Sequence, residues 1–240
     1  MSTKLGCWLG LPSVEVADIV GGAGYDFVVL DLEHGTASIE TAARQMMALA
    51  GHGVDVLLRV PEPSEAWLKR ALDAGAGGLI VPKVESAEAA ADIVSKARYA
   101  PIGARGEALP VVRASHWGRR IDAYRAAAES LPIMCQIETQ RGLEAAEDIA
   151  AVAGVTHLFF GPVDFSATTG VALDDPTVQA AAKRVTAAAA KTGKGAATIG
   201  FVGLSVSQVS AMGFSHVAVA SDVAVLVTGL ETQLKDARHG

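Results

Sequence analysis

The chain has 240 residues, half of them hydrophobic, and a formal net charge of −6. That length suits one α/β domain with a large core, and no apolar run reaches the roughly 20 residues a membrane helix needs. The acids and bases are interspersed and basic clusters such as Arg119-Arg120 are sparse, which argues against a nucleic-acid track.

In chain order, Lys4–Leu9 reads as a first strand, and Ser13 caps a helix that runs to about Ile19. Gly21, Gly22 and Gly24 end it, and Tyr25–Leu32 is the second strand. A helix over Ser38–Ala50, a strand over Val54–Val60 and a helix over Ser64–Ala74 follow. Gly78–Val81 is the fourth strand and Ser86–Tyr99 a helix. Pro101 to about Trp117 has no period and is too long for an ordinary connection. Ile121–Ser130 is helical, Pro132–Glu138 the fifth strand, Gly142–Ala153 a helix and Thr156–Phe160 the sixth strand. Pro176–Thr192 is an Ala-rich helix, Gly195–Ile199 the seventh strand and Ser205–Met212 a helix. Phe214–Ala220 is the eighth strand and Ser221–Lys235 the last helix.

Strands alternating with helices at this spacing predict parallel βαβ units, and eight of them in about 250 residues is the pattern of a (β/α)8 TIM barrel. An open doubly wound sheet is the alternative. It usually carries a Gly-rich turn directly after its first strand, whereas Gly21–Gly24 follows a helix. The whole chain, residues 1–240, is read as one domain. The start lacks a basic and then apolar leader pattern, so a cytoplasmic location is expected. Cys7 and Cys135 sit in apolar strands without a Cys-x-x-Cys spacing, which favours core packing over metal or redox roles.

Reactive side chains gather at strand ends, where a barrel builds its site. Phe27–Leu30 is an apolar run that stops at Asp31, Glu33, His34 and Gly35. Alternation puts Asp31 and Glu33 on one face, and Gln136 and Glu138 on another. Arg59 ends the third strand, and Asp164 follows the Gly161-Pro162 turn. Glu138 and Asp164 form a candidate divalent-metal pair: two hard carboxylates favour Mg²⁺ or Mn²⁺ over structural zinc. Either could instead cap a helix. His34 is the candidate general acid or base, and Arg59 the candidate electrophile. The other histidines lack that setting; His157 and His216 sit at strand starts, the stability end of a barrel. Asp73, late in a helix near the wrong pole of its dipole, is expected to have a specific partner.

The sequence resembles the HpcH/HpaI family of class II 2-oxo-acid aldolases over nearly its whole length. The resemblance runs through Gly6–Leu9, Tyr25–His34, Leu58–Pro61, Leu72–Ala76, Gly103–Gly106, Gln136–Thr139 and Gly161–Ser166. It implies a barrel whose C-terminal helix is exchanged between neighbours in a homo-oligomer, a hexamer or trimer. It implies a divalent cation, Mg²⁺, Mn²⁺ or Co²⁺, on Glu138 and Asp164. It further implies a pyruvate-like donor on the N–H groups of Val163 and Asp164, with Gln136 beside the metal and Arg59 facing the C2 oxygen. His34 would pair with Asp73, and Asp31 would lie near the same histidine. The implied reaction is reversible cleavage of a 4-hydroxy-2-oxo acid to pyruvate, or a relative such as hydroxypyruvate, and an aldehyde. The sequence departs from many members at Gly35-Thr36-Ala37 and at Glu107–Pro110, loops expected to touch the aldehyde. Three other readings stay open: a Lys83 Schiff-base aldolase, a citrate-lyase-like enzyme acting on an acyl-CoA, and a barrel that binds metal and pyruvate without turnover.

Overall fold

The computed structural model describes residues 3–239. Eight parallel strands close into a barrel in sequence order. They are β1 (Lys4–Leu9), β2 (Phe27–Asp31), β3 (Asp55–Arg59), β4 (Gly78–Val81), β5 (Ile133–Ile137), β6 (His157–Phe160), β7 (Gly195–Ile199) and β8 (His216–Ser221). The helices are α1 (Val14–Gly21), α2 (Ile39–Leu49), α3 (Glu65–Asp73), α4 (Ala87–Ala97), α5 (Ile121–Ala128), α6 (Gln140–Glu144), α7 (Ala146–Ala151), α8 (Pro162–Thr169), α9 (Pro176–Lys191), α10 (Val206–Ala211) and α11 (Asp222–His239). The expected (β/α)8 barrel is the observed fold.

The local reasons repeat around the ring. Ser13, Ser38, Ser64, Ser86 and Ser205 each accept a backbone N–H in the first turn of the helix they open. Such caps stabilise a helix start by about 1 kcal/mol each. The strands are buried on both faces and therefore make two cores. Outward residues such as Val28, Leu30, Leu58, Val81 and Ile137 pack under the helices. Inward residues Phe27, Val29, Leu57, Ile80, Met134, Phe159, Ala197 and Ala218 fill the barrel. A Cβ on Gly6 would lie 2.3 Å from the Phe27 ring, so only glycine there lets the barrel floor close.

The structure differs from the sequence reading in four places. Residues 162–169 form α8, because Pro162 at the first helical position is preset for a helix rather than a turn. The helix expected over Gly142–Ala153 is two short helices that meet at Ala145. The aperiodic segment holds one turn of 3₁₀ helix at Arg113–Ser115. It joins the end of α4 to α5, which leads into β5, and this places it at the N-terminal pole of the barrel. Finally, β8 carries a bulge against β1 between Gly6 and Cys7.

The last helix leaves the barrel. Asp222 is buried and accepts N–H groups of Gly10 and Leu11, each at 2.9 Å, which ties down its first turn. Beyond it Val223, Val225, Leu226, Val227, Leu230 and Leu234 are all exposed. No helix among the described residues is long and apolar enough to cross a membrane.

Candidate active site

The inward faces of the strands carry apolar residues low in the barrel and polar residues at its C-terminal rim. The same alternation that buries Val29 and Leu57 delivers Asp31 and Arg59 one layer higher, paired in register. It likewise takes Met134 to Gln136 and on to Glu138, just past the end of β5.

Arg59 is the pivot. Its Nε and Nη2 donate to the two carboxylate oxygens of Asp31 at 2.9 and 2.7 Å. Its guanidinium lies 4.8 Å from the centre of the Trp8 ring, and Trp8 Nε1 donates to Asp31 at 3.1 Å. The third nitrogen, Nη1, is 2.9 Å from Glu33 Oε2. Burial alone would raise the Asp31 carboxyl, but the hydrogen bonds and charge of Arg59, with Trp8, hold it below the usual carboxylate range. Burial would weaken the Arg59 cation; Asp31 and Glu33 outweigh it and keep the guanidinium charged. Asp31 also accepts the backbone N–H of Glu33 at 3.0 Å and so shapes the turn that presents His34. A Cβ at Gly35 would fall 2.1 Å from the Asp31 carbonyl, so the chain turns there on a glycine.

Across the mouth, Gln136 Nε2 donates to Glu138 Oε2. Glu138 is buried, and its carboxyl is pushed up to about 7 by that burial and by the negative charges of Asp164 and Glu33. Gln136 Oε1 is buried without a partner among the described residues. Gly161 makes room for this pair: a Cβ there would lie 2.9 Å from Gln136 Nε2 and 3.2 Å from Glu138 Oε2. Asp164 stands in the first turn of α8, beside the exposed Val163. The first N–H groups of a helix lack intrahelical acceptors and favour anions.

The buried Glu138 carboxyl beside the half-buried Asp164 and Glu33, with an amide oxygen unpaired among the described residues, fits a cation. The donor set is carboxylate and amide oxygen, without sulfur, which suits a hard divalent ion. Glu138 and Asp164 are the side chains that would hold it, with Gln136 alongside.

His34, Arg59, Gln136, Val163 and Asp164 all line one cavity of about 460 Å³ above the barrel. The His34 side chain is 65% exposed, and its Nε2 is 3.9 Å from Glu33 Oε1. Its expected partner is elsewhere. Asp73 ends α3, just before β4 begins, at the opposite pole of the barrel. There its carboxylate accepts Arg105 Nη2 at 2.5 Å. The expected His34–Asp73 pair therefore does not form within one chain: helices run antiparallel to strands, so the end of a helix returns to the floor. Two side chains complete the setting of Arg59: Glu33, which strand parity places on the Asp31 face without giving it a role, and Trp8, which the sequence does not single out. The only signal for either was the parity they share with Asp31 and the barrel interior. Lys83 is exposed and outside the cavity lining.

The model of the HpcH/HpaI aldolase/citrate lyase family matches residues 4–228. The chain belongs to this family. A hydroxypyruvate/pyruvate aldolase from Chromohalobacter salexigens is 34% identical over 227 residues, covering 93% of this chain and 89% of its own. A 2-keto-3-deoxy-L-rhamnonate aldolase from Salmonella gallinarum is 34% identical, covering 97% of this chain and 88% of its own. Among solved structures, a HpcH/HpaI family protein from Burkholderia cenocepacia J2315 superposes with a TM-score of 0.93 at 33% identity. That match covers 99% of this chain and 95% of the other. The enzyme is a carbon–carbon lyase acting on small molecules.

Proposed function

We propose that the enzyme is a divalent-metal-dependent aldolase. It cleaves a 4-hydroxy-2-oxo acid to pyruvate, or a close relative such as hydroxypyruvate, and an aldehyde. The observation that carries this reading is the cluster of Glu138, the unpaired Gln136 amide oxygen and Asp164 at the start of α8, gathered near the charged Arg59 at the end of β3. The names of the aldolase relatives support it. Bound by Glu138 and Asp164, Mg²⁺, Mn²⁺ or Co²⁺ would supply Lewis acidity at the 2-oxo group.

The chain's own groups do the rest. The N–H groups of Val163 and Asp164 receive the donor carboxylate. Arg59, immobilised by Asp31 and Trp8, presents fixed positive charge to the C2 oxygen as the enolate develops. In cleavage, His34 takes the proton of the C4 hydroxyl, directly or through water. The C3–C4 electron pair moves toward C2, the aldehyde departs, and C3 is then protonated. Such proton transfer contributes roughly 10²–10⁴-fold.

The exposed apolar residues of α11 support a homo-oligomer in which this helix packs on a neighbour. A catalytic role for Asp73 then requires that it reach His34 of another copy. Mixing a His34→Ala chain with an Asp73→Ala chain should restore activity neither has alone.

The test of the whole reading is a cleavage screen over 4-hydroxy-2-oxo acids, with exchange of the pyruvate methyl protons followed in parallel. EDTA should abolish both, and Mn²⁺ should restore them. Full activity in chelator with borohydride trapping of pyruvate would replace this mechanism with a Schiff base. His34→Ala should slow the exchange sharply while metal binding survives.

A further inference from the structure

The cavity above the barrel has two unlike sides. One holds His34, Arg59, Gln136 and Asp164. The other is built by the ends of β7 and β8 and the first turn of α11: Ile199, Gly200, Ala218, Val219, Ala220 and Ala224. Val219 stands there because of the bulge in β8. Gly6 pairs with Ala218 and Cys7 with Ala220, which leaves Val219 without a partner position on β1. A bulged residue escapes the strand's alternation and is re-aimed. Val219 is accordingly 37% exposed beside Ala218 at 4%.

This wall carries no charge. Ser221 supplies its hydroxyl, and that oxygen accepts the Ala224 N–H at 3.1 Å as a helix cap. Among the described residues lining the cavity, the basic side chains are Arg59 and His34, both on the other side. Arg59 is already committed to Asp31 and Glu33. Within one chain, a carboxylate or phosphate on the tail of a substrate would lose water here and gain no cationic partner, whereas an alkyl tail would bury apolar area.

Resting on the aldolase reading above, we propose that Val219 and the β7–β8 wall select the acceptor, and that it is an uncharged aldehyde with a short apolar tail. The experiment compares kcat/KM for addition of pyruvate to butanal and to 4-oxobutanoate, which have equal chain length and differ in the terminal carboxylate. The intact enzyme should favour butanal by about tenfold or more. Val219→Lys and, separately, Ala224→Lys should each move that ratio toward 4-oxobutanoate by about tenfold, since each places an ammonium on the wall. Ala224 lies in the first turn of α11, outside the bulge, so its variant reports even where the bulge does not tolerate change. A native preference for 4-oxobutanoate, or a ratio unmoved in both lysine variants, would overturn the assignment of the wall. Exchange of the pyruvate methyl protons without aldehyde separates the two failures. If exchange persists, only the wall assignment falls; if exchange and cleavage are both absent, the aldolase reading falls and takes it along.

Discussion

The two poles of the barrel use the same strands and handle polar groups in opposite ways. At the N-terminal pole, His157 and His216 stack edge to face with centroids 4.9 Å apart, and their Nδ1 atoms engage Thr156 and Ser215. Nearby, Lys4 pairs with Asp55 at 2.7 Å. Arg105 is enclosed against Asp73 and the Tyr99 ring, 4.5 Å from its centre. At the C-terminal pole, Glu33, Glu138 and Asp164 crowd around Arg59, whose bidentate partner is Asp31, and an amide oxygen is left unpaired. On the floor the charged groups are paired, although Arg105 Nε and the Tyr99 hydroxyl are buried without a hydrogen-bond partner among the described residues; at the rim several acids share the one guanidinium of Arg59.

The sharpest way to break that contrast is to relieve the rim. Glu138→Gln removes one of the crowded carboxylates. Activity should fall by at least about a hundredfold, because the cation and the 2-oxo group lose their anchor. Stability should hold or rise, because a buried like-charge contact is gone. Steady-state kinetics beside thermal unfolding reads both. A fall in stability with activity retained would make Glu138 a scaffold residue.

Arg59→Lys keeps the charge and loses the fork. A lysine cannot match both Asp31 oxygens, so transition-state stabilisation should drop by about 10²-fold, mainly in kcat. Equal kcat with raised KM would show that Arg59 serves substrate binding alone. The counterpart on the floor is Arg105→Ala. It strands Asp73 and should lower stability by about 3 kcal/mol in urea titration. A loss under about 0.5 kcal/mol would show that the pair is solvated and the contrast overstated.

The barrel was legible because the strands are short apolar runs and many of the helices open on a serine, threonine or aspartate that caps their first turn. Glu138, Asp164, Arg59 and His34 were legible because strand parity and strand ends say which side chains reach the rim. Two things were not. The α8 helix hid behind Gly161-Pro162, a dipeptide equally at home in a turn. The β8 bulge at Val219 depends on pairing with β1, more than two hundred residues away in sequence. Asp73 was a different case: its place at a helix end already put it on the floor, and the functional expectation ran against that geometry.

The smallest effect concerns pH and the floor alone. Burial, with the charges of His216 and Lys4, pushes the His157 imidazole from its ordinary 6.5 down to about 4. Between those values the unfolded chain takes up a proton that the folded chain refuses. Stability is therefore full above about pH 6.5, falls as the pH drops toward 4, and changes no further from this group below that. The loss across the window should be at most about 3 kcal/mol. Other groups titrate in the same range, so the decisive measurement is a difference: urea midpoints from pH 7 to 4 for the native chain and for His157→Gln. The variant should be less stable at pH 7, where it gives up the contact with His216, and its profile should be flatter on the acid side. Parallel profiles would mean that His157 is hydrated in the folded state, and that the floor, like the rim, carries charge it has not paired.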